Sequence, residues 1–185
     1  MTKDNFERAS IKEIVLIVVA VVIVTLIAFG SFYYQKSTDQ FVDWKTYTNE
    51  KYGFEIKYPA NFTERFKRDN YIGFQSSNLQ INVYAIPNKS FQGYLEEVDK
   101  IRSVAYEGDP SVQVLKKSFI QTKGRSARQQ ETYGYASMRY NIETAINTPS
   151  GIVDLSVGID SNDGGIDDIR QLHSQVLSTL KFIER

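Results

Sequence analysis

The sequence contains no cysteine. That absence excludes disulfides, thiolate metal sites, a cysteine nucleophile and the acylated cysteine of a lipoprotein anchor. Histidine is nearly absent too: His173 is the only one. One histidine without a cysteine cluster does not make a typical zinc site. No G-x-S-x-G elbow or other nucleophile signature accompanies it. It falls off the main apolar stripe of its helix and is expected on the surface, solvated or partly packed. An excess of either charge is missing as well, since Lys+Arg and Asp+Glu both number 22. Setting aside Lys3, Arg8, Lys12, Asp4, Glu7 and Glu13 leaves 19 of each sign in residues 36–185. A balanced domain exerts no pull on nucleic acid or on an anionic bilayer, so no nucleic-acid partner is expected. No internal repeat or low-complexity tract interrupts the chain.

What the chain has in plenty is apolar bulk. Its 11 Phe and 12 Tyr can fill the core of one domain, and about 150 residues bury enough surface to fold without covalent staples. A second concentration lies near the N-terminus, where no charged residue occurs from Ile14 to Gln35. Residues 14–34 number 21, about 31 Å as a helix, which matches the hydrocarbon thickness of a bilayer. Residues 14–29 include 13 Ile, Val, Leu or Phe, together favouring insertion by roughly 4 to 8 kcal/mol. Val and Ile are mediocre helix formers in water, but lipid offers the backbone no other partners and imposes the helix. Tyr33 and Tyr34 stand where an interfacial aromatic belt belongs.

These features predict a short cytoplasmic tail over 1–13, a transmembrane helix over 14–34, a polar linker over 35–43 and a domain over 44–185 outside the cytoplasm. Two rival readings of the N-terminus exist. Ala28-Phe29-Gly30 resembles a signal-peptide cleavage site, yet the apolar run is long for a signal peptide and continues to Tyr34, which favours a retained anchor. Glu13 before the run suggests a pilin-like subunit, but Arg8 stands where prepilin cleavage requires a small residue and Lys12 interrupts the run. Lys3, Arg8 and Lys12 on one side nearly balance Lys36, Lys45 and Lys51 on the other, so orientation follows the ordinary form of a signal anchor.

Within the domain, Phe54, Ile56 and Tyr58 alternate with Glu55 and Lys57 before Pro59, the pattern of a half-buried strand. The same alternation runs over 79–86 to Pro87. Further strands are expected over 71–75, 112–122, 127–133, 137–145 and 152–159. Two segments switch to helical period. Phe91, Tyr94, Leu95, Val98 and Ile101 share a face behind the N-cap candidate Ser90. Ile166, Ile169, Leu172, Val176, Leu177 and Leu180 form a second stripe, with Asp167 and Asp168 in the first turn where the helix dipole favours negative charge. Six or seven strands and two helices without βαβ alternation predict an α+β fold: an antiparallel sheet flanked by helices, preceded by one transmembrane helix.

The run Trp44-x-x-Tyr47-x-Asn49-x-x-Tyr52-Gly53-Phe54-x-Ile56-x-Tyr58-Pro59 resembles the opening of PsbP-like domains, the Mog1/PsbP-type α/β/α sandwich. Val176-Leu177-Ser178-Thr179-Leu180-Lys181-Phe182 resembles that family's closing helix and last short strand. The resemblance covers roughly residues 44–184, in a membrane-anchored prokaryotic form. It implies binding of another macromolecule rather than catalysis, and transfers no metal-binding or docking residue. On their own chemistry the aromatics of the opening run build a core edge, while Gly53 permits a turn or bulge and Pro59 ends the strand.

The acidic run near the last helix is the best metal candidate. Asp160, Asn162, Gly165 and Asp168 fall at positions one, three, six and nine of an EF-hand loop, with Asp163 beside them, which makes a weak calcium candidate of Asp160, Asn162, Asp163 and Asp168. Gly164 and Gln171 occupy positions where that loop needs ligands, so a glycine turn with acidic capping is the simpler reading. Positive charge gathers at Lys116, Lys117, Lys123, Arg125 and Arg128, either a solvated hairpin that protects an edge or a docking patch for an acidic partner or lipid headgroups. The functional expectation is a membrane-tethered binding or accessory module with a protein partner. The alternatives are a hydrolase that brings His173 to Asp154 or Asp160, and a pilin-like subunit.

Overall fold

The computed structural model describes residues 15–27, 41–108, 112–134, 139–159 and 165–183. The chain divides into two compact units, residues 1–42 and 43–185. In the first, residues 15–27 form a helix, α1, whose side chains are all exposed. Thr25 turns its hydroxyl back onto the Val21 carbonyl, so the one polar side chain of the run is satisfied within the helix. These 13 residues rise about 20 Å. No helix among the described residues is long and apolar enough to cross a membrane. Residues 1–13, 14 and 28–40, the remainder of the expected tail, span and linker, lie outside the described residues.

The second unit is built on a seven-stranded antiparallel sheet in the order β3-β4-β5-β9-β8-β7-β6. Its strands are β3 (Thr63–Arg68), β4 (Tyr71–Ser76), β5 (Leu79–Pro87), β6 (Val112–Thr122), β7 (Arg125–Gly134), β8 (Arg139–Thr148) and β9 (Gly151–Ile159). A smaller sheet joins β1 (Lys45–Asn49) and β10 (Lys181–Phe182) to either side of β2 (Phe54–Tyr58). The helices are α2 (Phe91–Gly108) and α3 (Ile166–Thr179).

Period two in the central strands sorts side chains to two layers. Val153, Leu155, Val157 and Ile159 of β9 join the large core with Ile142 and Ile146 of β8, Ile81 and Val83 of β5, and Ile169, Leu172 and Val176 of α3. The small sheet lies on this same side, adding Phe54, Ile56 and Tyr58 to that core. Tyr58 stacks on Phe74 with centroids 3.9 Å apart, and Tyr47 meets the same ring edge-on at 5.9 Å. On the opposite face, Ile152 and Ala145 form a second, smaller core with Tyr94 and Leu95 of α2. With both faces covered, β9 is buried along most of its length, which explains its nearly continuous apolar run.

The expected strands all form, and Ser90 caps α2 as expected, its Oγ accepting the Gly93 N–H at 3.1 Å. Two readings need correction, and two strands, Lys45–Asn49 and Thr63–Arg68, are not among those expected. Thr63–Arg68 is a strand although every residue in it is exposed: it is an edge whose charges face water, so it shows no alternation. Ile101 leaves the sheet-facing line of α2 and is 61% exposed, because Asp99 takes the sheet contact on that turn. His173 is not a surface residue. It is 1% exposed, four residues after Ile169 and three before Val176, which puts it inside the buried stripe of α3.

Candidate binding cleft

Buried polar groups lie between α3 and the sheet. His173 Nε2 lies 3.1 Å from Thr144 Oγ1 on β8, and its Nδ1 lies 3.5 Å from the Gln129 side-chain nitrogen on β7. Burial pushes the imidazole down to about 4, against a smaller upward pull from Glu131, so it is neutral near pH 7. Beside it Glu131 accepts the Tyr140 hydroxyl at 2.5 Å and the Arg170 Nη2 and Nε at 2.8 and 3.2 Å. Burial alone would raise the Glu131 carboxyl, but the hydrogen bonds from Arg170 and Tyr140 outweigh it and hold it below the ordinary value. Burial, reinforced by Glu131, pushes the Tyr140 phenol far upward. These groups fasten α3 to the sheet. Nothing in the sequence pairs positions 131, 140 and 170, because only the antiparallel register and the placement of α3 bring them together.

His173 does not meet Asp154. The imidazole lies on the α3 side of the sheet, against Thr144. Asp154 lies on the other side, accepting the Tyr94 hydroxyl of α2. Asp160 is outside the described residues, as are Asn162 and Asp163. Asp168 is exposed in the first turn of α3, and the described residues contain no group of three or more His, Cys, Asp or Glu placed to hold a metal.

The five basic residues are divided among three places. Lys117 and Arg128 both bind Asp99 of α2, at 2.7 and 2.8 Å. Lys116 pairs with Glu131 across the ladder. Lys123 donates to the Ser178 carbonyl at 2.6 Å, and Arg125 turns beneath β10. Of the five, Arg125 lines a cleft.

That cleft, of about 410 Å³, opens at the end of the domain where the β1–β2, β6–β7 and β8–β9 turns gather. Trp44 and Lys45, where the chain enters the domain, lie at the opposite end of the β1–β2 hairpin. One wall is the β1–β2 turn, with Lys51, Tyr52 and Gly53. Gly53 has φ +69°, a conformation that L side chains rarely adopt, and a Cβ there would sit 3.1 Å from the Ile183 carbonyl. Asn49 holds this turn: its Oδ1 accepts the Tyr52 N–H at 3.1 Å, and its Nδ2 donates to the Tyr47 hydroxyl and the Asp69 carbonyl at 3.2 and 3.1 Å. The facing wall is the β8–β9 turn, with Thr148, Pro149 and Ser150. Phe182 and Ile183 form the third side, fixed by the Ile183 N–H donating to the Gly53 carbonyl at 2.9 Å.

Arg125 closes the cleft. Its Cζ stands 4.6 Å from the centroid of the Phe182 ring, a cation–π contact that fixes the guanidinium without neutralising it. Its Nε is buried and has no hydrogen-bond partner among the described residues. Lys51 is committed elsewhere, paired with Asp69 at 2.7 Å and 5.6 Å from the Tyr52 ring. The cleft therefore offers an unpaired, pre-oriented fork of donors, two hydroxyls and apolar walls. His173 is enclosed under α3, and among the described lining residues there is no His, Asp or Glu beside those hydroxyls.

No family model matches the chain, and no curated protein matches it. Solved structures do. The cyanobacterial PsbP (CyanoP) of Synechocystis superposes with a TM-score of 0.57 at 12% identity, over 76% of this chain and 92% of that one. The Ran-binding protein Mog1p of Saccharomyces cerevisiae superposes with a TM-score of 0.53 at 10% identity, over 76% of this chain and 96% of that one. Identities this low speak for architecture alone, and the architecture agrees with the one described: residues 43–185 have the Mog1/PsbP-type fold.

Proposed function

We propose that this chain is a membrane-anchored, extracytoplasmic binding module that acts by holding a protein partner. The observation that carries the reading is the turn-end cleft, where Arg125 is fixed against Phe182 without a counter-ion among the described residues. An unpaired guanidinium with hydroxyls and apolar walls around it is what a recognition site needs, and among the described lining residues no carboxylate or imidazole stands beside the hydroxyls to activate them. The yeast neighbour is itself a Ran-binding protein, which is in keeping with a binding role for the fold. The anchor rests on the charge-free run of residues 14–34 and on α1, whose Val, Leu and Ile side chains are exposed throughout 15–27. That much apolar surface on one helix favours lipid over water.

The hydrolase alternative loses its His173–Asp154 pair, because the sheet separates the two; Asp160, its other candidate, lies outside the described residues. Crosslinking in intact membranes followed by affinity capture of the full chain tests the leading reading. A reproducible partner is expected, retained at the membrane after carbonate extraction; repeated capture of nothing overturns it. Protease added outside intact cells should cut the domain, and an N-terminus still beginning at Met1 separates a retained anchor from signal cleavage and prepilin processing.

A further inference from the structure

We propose that the Arg125 cleft takes a carboxylate carried on a small apolar body, supplied by the protein partner as the free C-terminus of an extended segment; this rests on the binding-module reading above.

Charge decides the head group. Among the described residues lining the cleft, Arg125 is the cation without a counter-ion, since Lys51 is held by Asp69 at 2.7 Å. Lys123, adjacent in the same turn, is held by the Ser178 carbonyl at 2.6 Å. One guanidinium matches a singly charged group bidentately. A phosphate dianion would leave charge uncompensated. The Phe182 ring fixes the plane of the fork before any ligand arrives, so less side-chain freedom is lost on binding. Thr148 donates to the Gly151 carbonyl at 3.0 Å, so in its 3.3 Å contact with Ser150 it accepts and the Ser150 hydroxyl donates to it; the arginine fork is left as the donor for a carboxylate.

The walls decide what the carboxylate is attached to. Tyr52, Pro149, Phe182 and Ile183 line the cleft with rings and aliphatic surface. A volume of about 410 Å³ admits one large apolar side chain with a short stretch of backbone. A bare inorganic anion would leave that surface wet. An aspartate or glutamate within a chain would bring too little apolar surface beside its charge. A C-terminal residue carries both on one Cα.

The test uses the full chain in detergent micelles, labelled with ¹⁵N-arginine, and follows the Arg125 Nε–H resonance, assigned by its loss in Arg125→Gln. N-acetyl-Gly-Leu with a free carboxylate is titrated against the same dipeptide as its C-terminal amide and against inorganic phosphate. The acid should shift the resonance saturably and bind at least tenfold more tightly than the amide or phosphate. Phe182→Leu should weaken acid binding several-fold while the resonance remains present. Equal affinity for acid and amide, or tighter binding of phosphate, overturns the proposal on wild-type protein alone, whatever Arg125→Gln does to folding. The membrane capture separates the two readings. A partner captured equally by wild type and Arg125→Gln, with no acid preference, removes the site and leaves the partner. Acid preference with an empty capture removes the protein source and leaves a site for a free carboxylic acid.

Discussion

His173 on α3 and Thr144 on β8 face each other at 3.1 Å in the main core, the imidazole 1% exposed. The Gln129 side-chain nitrogen approaches the other ring nitrogen, so both ring nitrogens have partners while the ring is neutral. Protonation would place an unpaired charge among apolar side chains, and the Glu131 carboxylate offsets that only in part.

Acid sensitivity follows, and its sign is fixed. An unfolded histidine takes up a proton below about pH 6.5, whereas the folded one resists until about 4. Protons in that window bind the unfolded state preferentially, so stability falls as pH drops from 6.5 toward 4, by on the order of 3 kcal/mol. Above 6.5 the group contributes no slope. Glu131 acts in the same direction at lower pH, since its lowered folded value means that stability is lost as the carboxylate is protonated. Urea unfolding across pH 4 to 8, followed by the fluorescence of Trp44, the only tryptophan, reads this directly. His173→Gln should flatten the curve between 6.5 and 4; an unchanged slope would show that the histidine is not its source.

Glu131→Gln tests the second attachment of α3. The amide oxygen can still accept from Tyr140 or Arg170, but the charge assistance is lost and an N–H₂ is introduced beside donors. A loss of about 1–2 kcal/mol is expected, a drop of roughly 3–8 °C in Tm. The pH dependence below 4.5 should weaken with it. A Tm within 1 °C of wild type would mean that the cluster decorates α3 without fastening it.

Most strands with one or both faces buried were legible in the sequence, although Lys45–Asn49, with Tyr47 and Asn49 buried, was not. Phe54, Ile56 and Tyr58, or Ile81 and Val83, announce themselves by period two because water and core lie on opposite sides. Thr63–Arg68 carries no such signal, being an edge that is wet all round. His173 misled for a different reason. Polarity argued for the surface, yet its spacing from Ile169 and Val176 already placed it on the buried stripe. The cleft was least legible of all. Arg125 was singled out as one of five basic residues, but Phe182 and Ser150 come from segments far along the chain. Turns at one end of an antiparallel fold meet only once strand order is known.

Two glycines separate backbone strain from collision. Gly124 has φ +70° with nothing within 4 Å of an added Cβ, so Gly124→Ala should cost about 1 kcal/mol from conformation alone. Gly151 has φ +136°, and a Cβ there would run into the Ile86 carbonyl and the Pro87 Cα on the neighbouring strand. Gly151→Ala must distort the β5–β9 ladder and is expected to cost several times more. Urea midpoints of the two variants compare them. Equal losses would mean that the β8–β9 turn yields easily, and the wall of the cleft that it forms would then be soft.

The outer edge of the sheet is exposed to other chains. β6 is terminal in the strand order and 11 residues long, so along one side its backbone groups have no strand in the seven-stranded sheet to pair with. Phe119 is 69% exposed on it, and Val114 and Leu115 are exposed nearby. An edge of that length and apolarity invites pairing with another chain. Two features oppose this: a register shift between Val114 and Lys116, and the charges of Lys116 and Lys117 in the middle of the strand. If those charges guard the edge, Lys116→Val should raise light scattering during slow heating of the detergent-extracted chain. Phe119→Lys should lower it while shifting unfolding free energy by less than about 0.5 kcal/mol, since the ring packs against little. Opposite changes in aggregation at nearly constant stability would assign these lysines to protecting the edge. A Phe119→Lys variant that aggregates as wild type does would show that the edge is covered by something else, and the search for the partner's footprint should then begin at β6 rather than at the cleft.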